Sequence, residues 1–267
     1  MVKSKNYTFS TLFSSSLTEY KQNYKQFAKF IFITVGIVLF LTAIWQFYFV
    51  LTDESAKIII ENPSLIAQGN VPSPTWAFGG FILALASIVL TIFMQAGFIR
   101  TVVSEKKFAN KTMIANAKKH FGKYLGFFIV FMIFMMLLIL ALIIPAIIFG
   151  VFWIFASFIF LEDKGKKGII NSLKKSFQIV KNNWWKTLGY ILLLMLIYLV
   201  FNFLLRLIFT PFFLAIASIF QTSNIAIGLN YFLSTLNQLI ATIIATPFSI
   251  LFFKNFYMAR KEELGIK

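Results

Sequence analysis

Between Tyr124 and Leu161 lie 38 residues without a single charge, and this run constrains the fold more than any other part of the chain. About 20 apolar residues cross the hydrocarbon core of a bilayer, so the block holds either one overlong helix or two short ones with a reversal between them. Its flanks decide. Lys106, Lys107, Lys111, Lys118, Lys119 and Lys123 precede it, and the stretch from Lys164 to Lys186 that follows is equally basic. Basic connections stay on the cytoplasmic side, so both ends of the block belong there and the number of crossings is even. The reversal is expected near Pro145 to Gly150, because proline removes a helix donor and glycine permits a turn.

The rest of the chain follows the same pattern. It is 59% hydrophobic with a mean hydropathy of +0.83, well above the roughly 45 to 50% apolar content of soluble domains. We read an all-α integral membrane protein, a single domain over 1–267. Its six spans are expected at about 28–51, 76–103, 124–144, 147–162, 187–207 and 230–257. Three interfacial amphipathic helices, over 9–27, 108–122 and 166–185, precede spans one, three and five. The first apolar run starts too late and runs too long for a cleaved signal peptide. Residues 53 to 75 hold Asp53, Glu54 and Glu61 among Pro63, Gly69, Pro72 and Pro74, which suits an extracytoplasmic loop. Pro211 is expected to interrupt the apolar run soon after Arg206. Of the 25 lysines and arginines, all but Lys57 and Arg206 fall on the side assigned as cytoplasmic, so both termini are expected there, in the cell membrane.

Several functions are excluded by composition. The net charge of +16 sits in short connections between spans rather than on a groove-facing soluble surface, which argues against nucleic acid. There is no cysteine, and His120 is the one histidine, so neither a thiolate site nor a protein-ligated zinc is expected. No phosphate-binding glycine loop, nucleophile elbow or zinc-protease motif is present. No catalytic residue, metal or other cofactor is assigned, and the chain is read as a non-enzyme.

Two groups of residues remain as candidate sites. In the stretch from Lys164 to Gly189, Ile170, Leu173, Phe177, Val180 and Trp184 recur at helical spacing and the other face is basic. Lys174, Lys175 and Lys181 beside Trp184 and Trp185 suit anionic lipid headgroups as well as plain interfacial anchoring. The second group is Asn202, Arg206, Asn237 and Gln238, a possible polar cluster within the spans. At helical rise Arg206 lies about 29 Å beyond Thr187, deep enough either to line a substrate path or to snorkel to the outer headgroups. Gln95, Thr242, Thr246 and Ser249 suit interhelical hydrogen bonds, Gly122 and Gly126 have small-residue spacing for a close helix approach, and Glu162 and Asp163 are expected to pair with nearby lysines.

The chain also carries a weak internal repeat. A shift of 63 residues lays His120–Gly126 on Asn183–Gly189, with Lys111 and Lys118 falling on Lys174 and Lys181. A shift of 160 lays Ser16, Lys21, Asn23 and Tyr24 on Ser176, Lys181, Asn183 and Trp184. Each unit would be an interfacial helix and a helical hairpin, made three times.

From Ile144 to Gly189 the residues carry a resemblance. Ile144 and Pro145, a short aromatic span with Trp153, then Leu161 and Glu162, and a helix with Ser172, Ser176, Val180, Lys181, Asn183, Trp184, Trp185 and Gly189 succeed one another. That order resembles the membrane domain found beside some bacterial glycerophosphodiester phosphodiesterases and related uncharacterised six-span families. The ending with Phe256, Tyr257, Ala259, Arg260, Glu262, Glu263 and Gly265 is similar to that group as well. The resemblance implies a six-helix membrane fold. It does not imply the esterase chemistry, which belongs to a separate soluble barrel with histidines, carboxylates and a metal. The expected function is therefore the organisation of membrane lipid, above all anionic lipid, or of partner proteins including a second copy of the chain. The alternative is a transporter or permease for a lipid or small molecule.

Overall fold

The computed structural model describes residues 7–54, 62, 64, 73–104, 108–219 and 223–266. The structure is 91% helix, and no strand occurs among the described residues. Helix α1 (Phe9–Ile31) continues through a π-helical segment (Phe32–Gly36) into α2 (Ile37–Thr52). There follow α3 (Pro74–Ser104), α4 (Asn110–Ala141), α5 (Ile143–Phe152), α6 (Ala156–Glu162), α7 (Ile169–Val180), α8 (Trp184–Ile219) and α9 (Ser223–Glu263). Six stretches, Phe9–Thr52, Pro74–Ser104, Asn110–Ala141, Ile143–Glu162, Ile169–Pro211 and Asn224–Glu263, are long and apolar enough to cross a membrane. Most of the acidic connection expected over 53–75, with Glu61 and Lys57, lies outside the described residues, as do Lys106 and Lys107.

The chain divides into two compact units. The first holds Met1–Phe30, Ile92–Ile197 and Ile244–Lys267; the second holds Ile31–Thr91 and Tyr198–Ile243.

In the first unit the uncharged block is a hairpin. Phe127 stacks on Phe160 at 4.8 Å between ring centroids, Phe131 meets Trp153 at 6.1 Å, and a side chain on Gly150 would touch the Met135 methyl at 3.5 Å. The partners run in opposite order, so α5 and α6 return along α4. The reversal comes at Leu142, in extended backbone (φ −169°, ψ 141°), rather than between Pro145 and Gly150. Pro145 is the third residue of α5, where the first-turn N–H has no carbonyl to reach and its loss removes no bond.

The returning arm is itself broken at residues 153–155. A fully buried serine repairs the break: Ser176 Oγ donates to the Phe152 carbonyl at 2.7 Å and accepts the Phe155 N–H at 3.1 Å. Backbone groups freed by such a break and buried in a core need internal partners of this kind. Around this point Phe155, Phe160, Leu173, Val180, Phe252 and Phe256 form the buried core, with Leu12 and Phe127.

Three expectations need correction. Pro211 does not end the fifth span: α8 runs through it to Ile219, and α9 likewise runs through Pro247 and starts at Ser223, ahead of the expected 230. Two of the three interfacial helices are not separate elements, because α1 and α4 continue unbroken or through the π segment into apolar helix. The third is separate, bounded by Gly168 at φ +82° and by a 3-10 turn at Lys181–Asn183. Finally, the close helix approach is at Gly97 and not at Gly122 or Gly126. A Cβ at Gly97 would lie 2.5 Å from the Met113 carbonyl oxygen and 2.8 Å from the Ala117 Cβ, whereas one at Gly122 or Gly126 meets nothing within 4 Å.

In the second unit α2 lies antiparallel to α9. Phe47 packs where Gly228 leaves room (2.9 Å to an added Cβ), Phe40 meets the Phe232 ring at 6.3 Å, and Leu239 reaches Gly36. A polar tie also joins them, Thr235 Oγ1 donating to Gln46 Oε1 at 3.2 Å.

Candidate functional site

Only three of the 25 cationic residues are arginine, namely Arg100, Arg206 and Arg260. A guanidinium offers a rigid fork of donors where lysine offers a point charge, so the positions of the three are informative.

Arg100, on α3, closes the end of α6. Its Nη1 donates to the carbonyls of Leu161 at 3.0 Å and Glu162 at 3.1 Å. These belong to the last turn, which has no helical partners and carries the negative end of the helix dipole. The turn beyond is wound left-handed at Lys164 (φ 57°), with Gly165 N–H reaching the Phe160 carbonyl at 2.8 Å and Lys164 N–H reaching that of Leu161 at 3.2 Å. Asp163 does not pair with a lysine side chain here; its carboxylate accepts the Lys167 backbone N–H at 2.7 Å.

Arg260, on α9 and only 5% exposed, does the same for α7. Its Nη2 donates to the Ile179 carbonyl at 3.0 Å, and Asn183, with its amide oriented to match donors with acceptors, takes both terminal nitrogens at 2.8 Å. Glu263 pairs with Nη1, while the buried Nε has no partner among the described residues. The neighbouring turns of α9 hold the rest of the polar framework. Lys261 pairs with Glu162 at 2.8 Å, and the Tyr257 hydroxyl donates to the same carboxylate at 2.5 Å. Glu162 thus finds a lysine, but one from the far end of the chain. Lys254 bonds both oxygens of Glu19 at 2.7 Å, and Asn255 donates to Ser16 Oγ at 3.0 Å. Tyr7 donates to Glu262 at 2.6 Å, and that bond, with burial and the Glu262 and Glu263 charges, holds its phenol above the ordinary pKa.

On this framework α7 turns Leu173, Ser176, Ile179 and Val180 inward. Lys174 and Lys181 are exposed and bond no described residue, and Lys175 is half-buried. Trp184 donates Nε1 to the Ile148 carbonyl at 3.3 Å, while Trp185, stacked edge-on against it at 4.7 Å, is 79% exposed.

The second group divides. Asn202 donates its amide to Tyr198 of its own helix at 2.9 Å, and Gln238 is exposed. Arg206 and Asn237, however, line one cavity of about 270 Å³ between α8 and α9, with Thr210, Asn230, Tyr231 and Ser234 among its polar lining and Phe209, Leu214, Leu229 and Leu233 among its apolar lining. Gln95, for its part, accepts the Tyr124 hydroxyl at 3.3 Å. No group of three or more His, Cys, Asp or Glu able to hold a metal occurs among the described residues.

Sequence reading missed Arg100, Arg260 and the Glu162–Tyr257–Lys261 group as framework residues. The signal available was the rarity of arginine among so many lysines.

These features define the class, an all-helical protein with six helices of membrane-crossing length and apolarity. The chain belongs to the family of the domain of unknown function DUF7847, whose family model matches residues 75–258. No curated protein and no solved structure matches it.

Proposed function

We propose that the chain is a multi-pass protein of the cytoplasmic membrane, with six crossings and both termini cytoplasmic, that gathers anionic lipid and partner proteins on its basic side and catalyses no reaction. The observation that carries this reading is the α7–α8 corner. Lys174 and Lys181 stand free of bonds to any described residue, and Trp185 is 79% exposed at the first turn of a long apolar helix. Tryptophan at the end of an apolar helix suits the headgroup layer, and a free lysine near an anionic surface contributes about 1 kcal/mol. The Arg260 and Ser176 bonds hold α7 in this position, so the lysines are presented by a fixed element.

The threefold scheme belongs to the same reading, as does the likeness to the phosphodiesterase-associated membrane domain, which rests on the residues from Ile144 to Gly189. Burial phase supports it. The residues superposed by the two shifts, Phe27 (0% exposed) with Tyr124 (3%) and Thr187 (1%), and Phe30 (0%) with Phe127 (3%) and Tyr190 (8%), are buried in all three copies. Ser16, Met113 and Ser176, superposed likewise, are fully buried as well.

The test uses the full chain reconstituted in vesicles of phosphatidylcholine with and without phosphatidylglycerol. Wild-type protein is expected to enrich phosphatidylglycerol around itself, less so in high salt, and Lys174→Gln with Lys181→Gln to lower the enrichment by about fivefold per lysine at low ionic strength. Equal association with neutral and anionic lipid would refute the proposal.

A further inference from the structure

Two of the three arginines spend their forks on helix-end carbonyls; the third does not. Arg206 is exposed, bonds no described residue, and lines the cavity between α8 and α9. Its guanidinium presents a planar, two-pronged fork to the cavity region, and carboxylate and phosphate are the acceptors that match such a fork.

A second observation concerns a residue of the same cavity wall. Asn237 is only 9% exposed, and its Oδ1 is buried with no hydrogen-bond partner. A buried polar atom left unpaired is costly enough that nearly all find a partner in protein, water or ligand. Asn237 lies on the cavity wall with Ser234 and Asn230. An acceptor oxygen needs a donor, so the occupant that satisfies both ends carries an anion for Arg206 and a hydroxyl or ammonium for Asn237.

Size and surroundings narrow it further. At about 270 Å³ the cavity is at or below the smallest ligand pockets, which run from about 300 Å³, so it holds a polar head and little more. Leu214 of its wall is 65% exposed, and the neighbouring Leu207 and Ile208 are 54% and 67% exposed, an apolar exterior along which chains can lie. Counted along the sequence at helical rise, the 19 residues from Thr187 to Arg206 amount to about 29 Å, close to the roughly 30 Å of a hydrocarbon core, so on the proposed topology Arg206 belongs at headgroup depth.

We infer that this cavity is a binding site for a phosphate ester bearing a neighbouring hydrogen-bond donor, met either as a lipid headgroup or as a free soluble phosphate. The site is separate from the lysine corner and does not depend on what that corner does.

The experiment measures binding of three probes to the full chain in detergent micelles: phosphatidylglycerol, diacylglycerol as the phosphate-free lipid, and inorganic phosphate. Wild-type protein is expected to bind phosphatidylglycerol in preference to diacylglycerol, and Arg206→Gln to weaken this about tenfold or more, the loss expected for hydrogen bonds to a charged group. Arg206→Lys should recover only part of it, because charge without the fork is restored. If inorganic phosphate also binds the wild type, and is lost in Arg206→Gln, the occupant is a soluble phosphate; if only the lipid is lost, it is a headgroup. Asn237→Leu, which replaces the orphaned amide by an apolar group of similar size, reads the same loss should Arg206→Gln fail to fold. Phosphatidylglycerol and phosphate binding unchanged in both variants would overturn the inference.

Discussion

Replacing Arg260 by methionine keeps most of the apolar stem and removes only the guanidinium. In the native structure that group, on a residue 5% exposed, satisfies the Ile179 carbonyl at 3.0 Å and the Asn183 amide oxygen at 2.8 Å, and pairs with Glu263. Ile179 is itself 3% exposed, so its orphaned carbonyl bears a penalty of about 1 to 3 kcal/mol. Asn183 is half-buried and partly regains water, and the lost charge at the C-terminal end of α7 adds about 0.3 to 1 kcal/mol. The sum is about 1.3 to 4 kcal/mol. Glu263, with a side chain 36% exposed, is worth little as an ion-pair partner, so Glu263→Gln is expected to cost less than about 1 kcal/mol. The assay is equilibrium unfolding of the purified protein in mixed micelles by titration with sodium dodecyl sulfate, followed by tryptophan fluorescence. If Arg260→Met lies within about 0.5 kcal/mol of wild type, or Glu263→Gln is as damaging as Arg260→Met, the capping argument is wrong.

Two further expectations follow from single positions. Gly97→Ala should destabilise by about 1 to 3 kcal/mol in the same titration, since its Cβ meets a backbone oxygen at 2.5 Å; Gly126→Ala, facing open space, should be neutral or stabilise by up to about 1 kcal/mol. Because the chain has no cysteine, single cysteines at Lys118 and Lys174 should react with a membrane-impermeant maleimide only from the cytoplasmic side of inverted and right-side-out vesicles; labelling from opposite sides would refute the proposed sidedness.

The charge-free run between Tyr124 and Leu161, set between two basic connections, was enough to require two helices rather than one, because hydrocarbon length and lysine sidedness are properties of residue order alone. An arginine far from the other cations, and tryptophans beside lysines, stand out in one dimension, but residue order did not separate Arg206 and Asn237, which line one cavity, from Asn202 and Gln238, which do not. What residue order could not give is which backbone group a side chain reaches. The reversal moved to Leu142 because Pro145 is harmless in a first helical turn, and Pro211 passed unnoticed inside α8. Gly97, not Gly126, became the point of close approach because that depends on what lies opposite. Arg100 and Arg260 reach helix-end carbonyls 61 and 81 residues away along the chain, and Arg206 with Asn237 meets across a cavity. Partners at such separation are chosen by packing, so only the tertiary structure could turn three scattered arginines into two caps and one open hand.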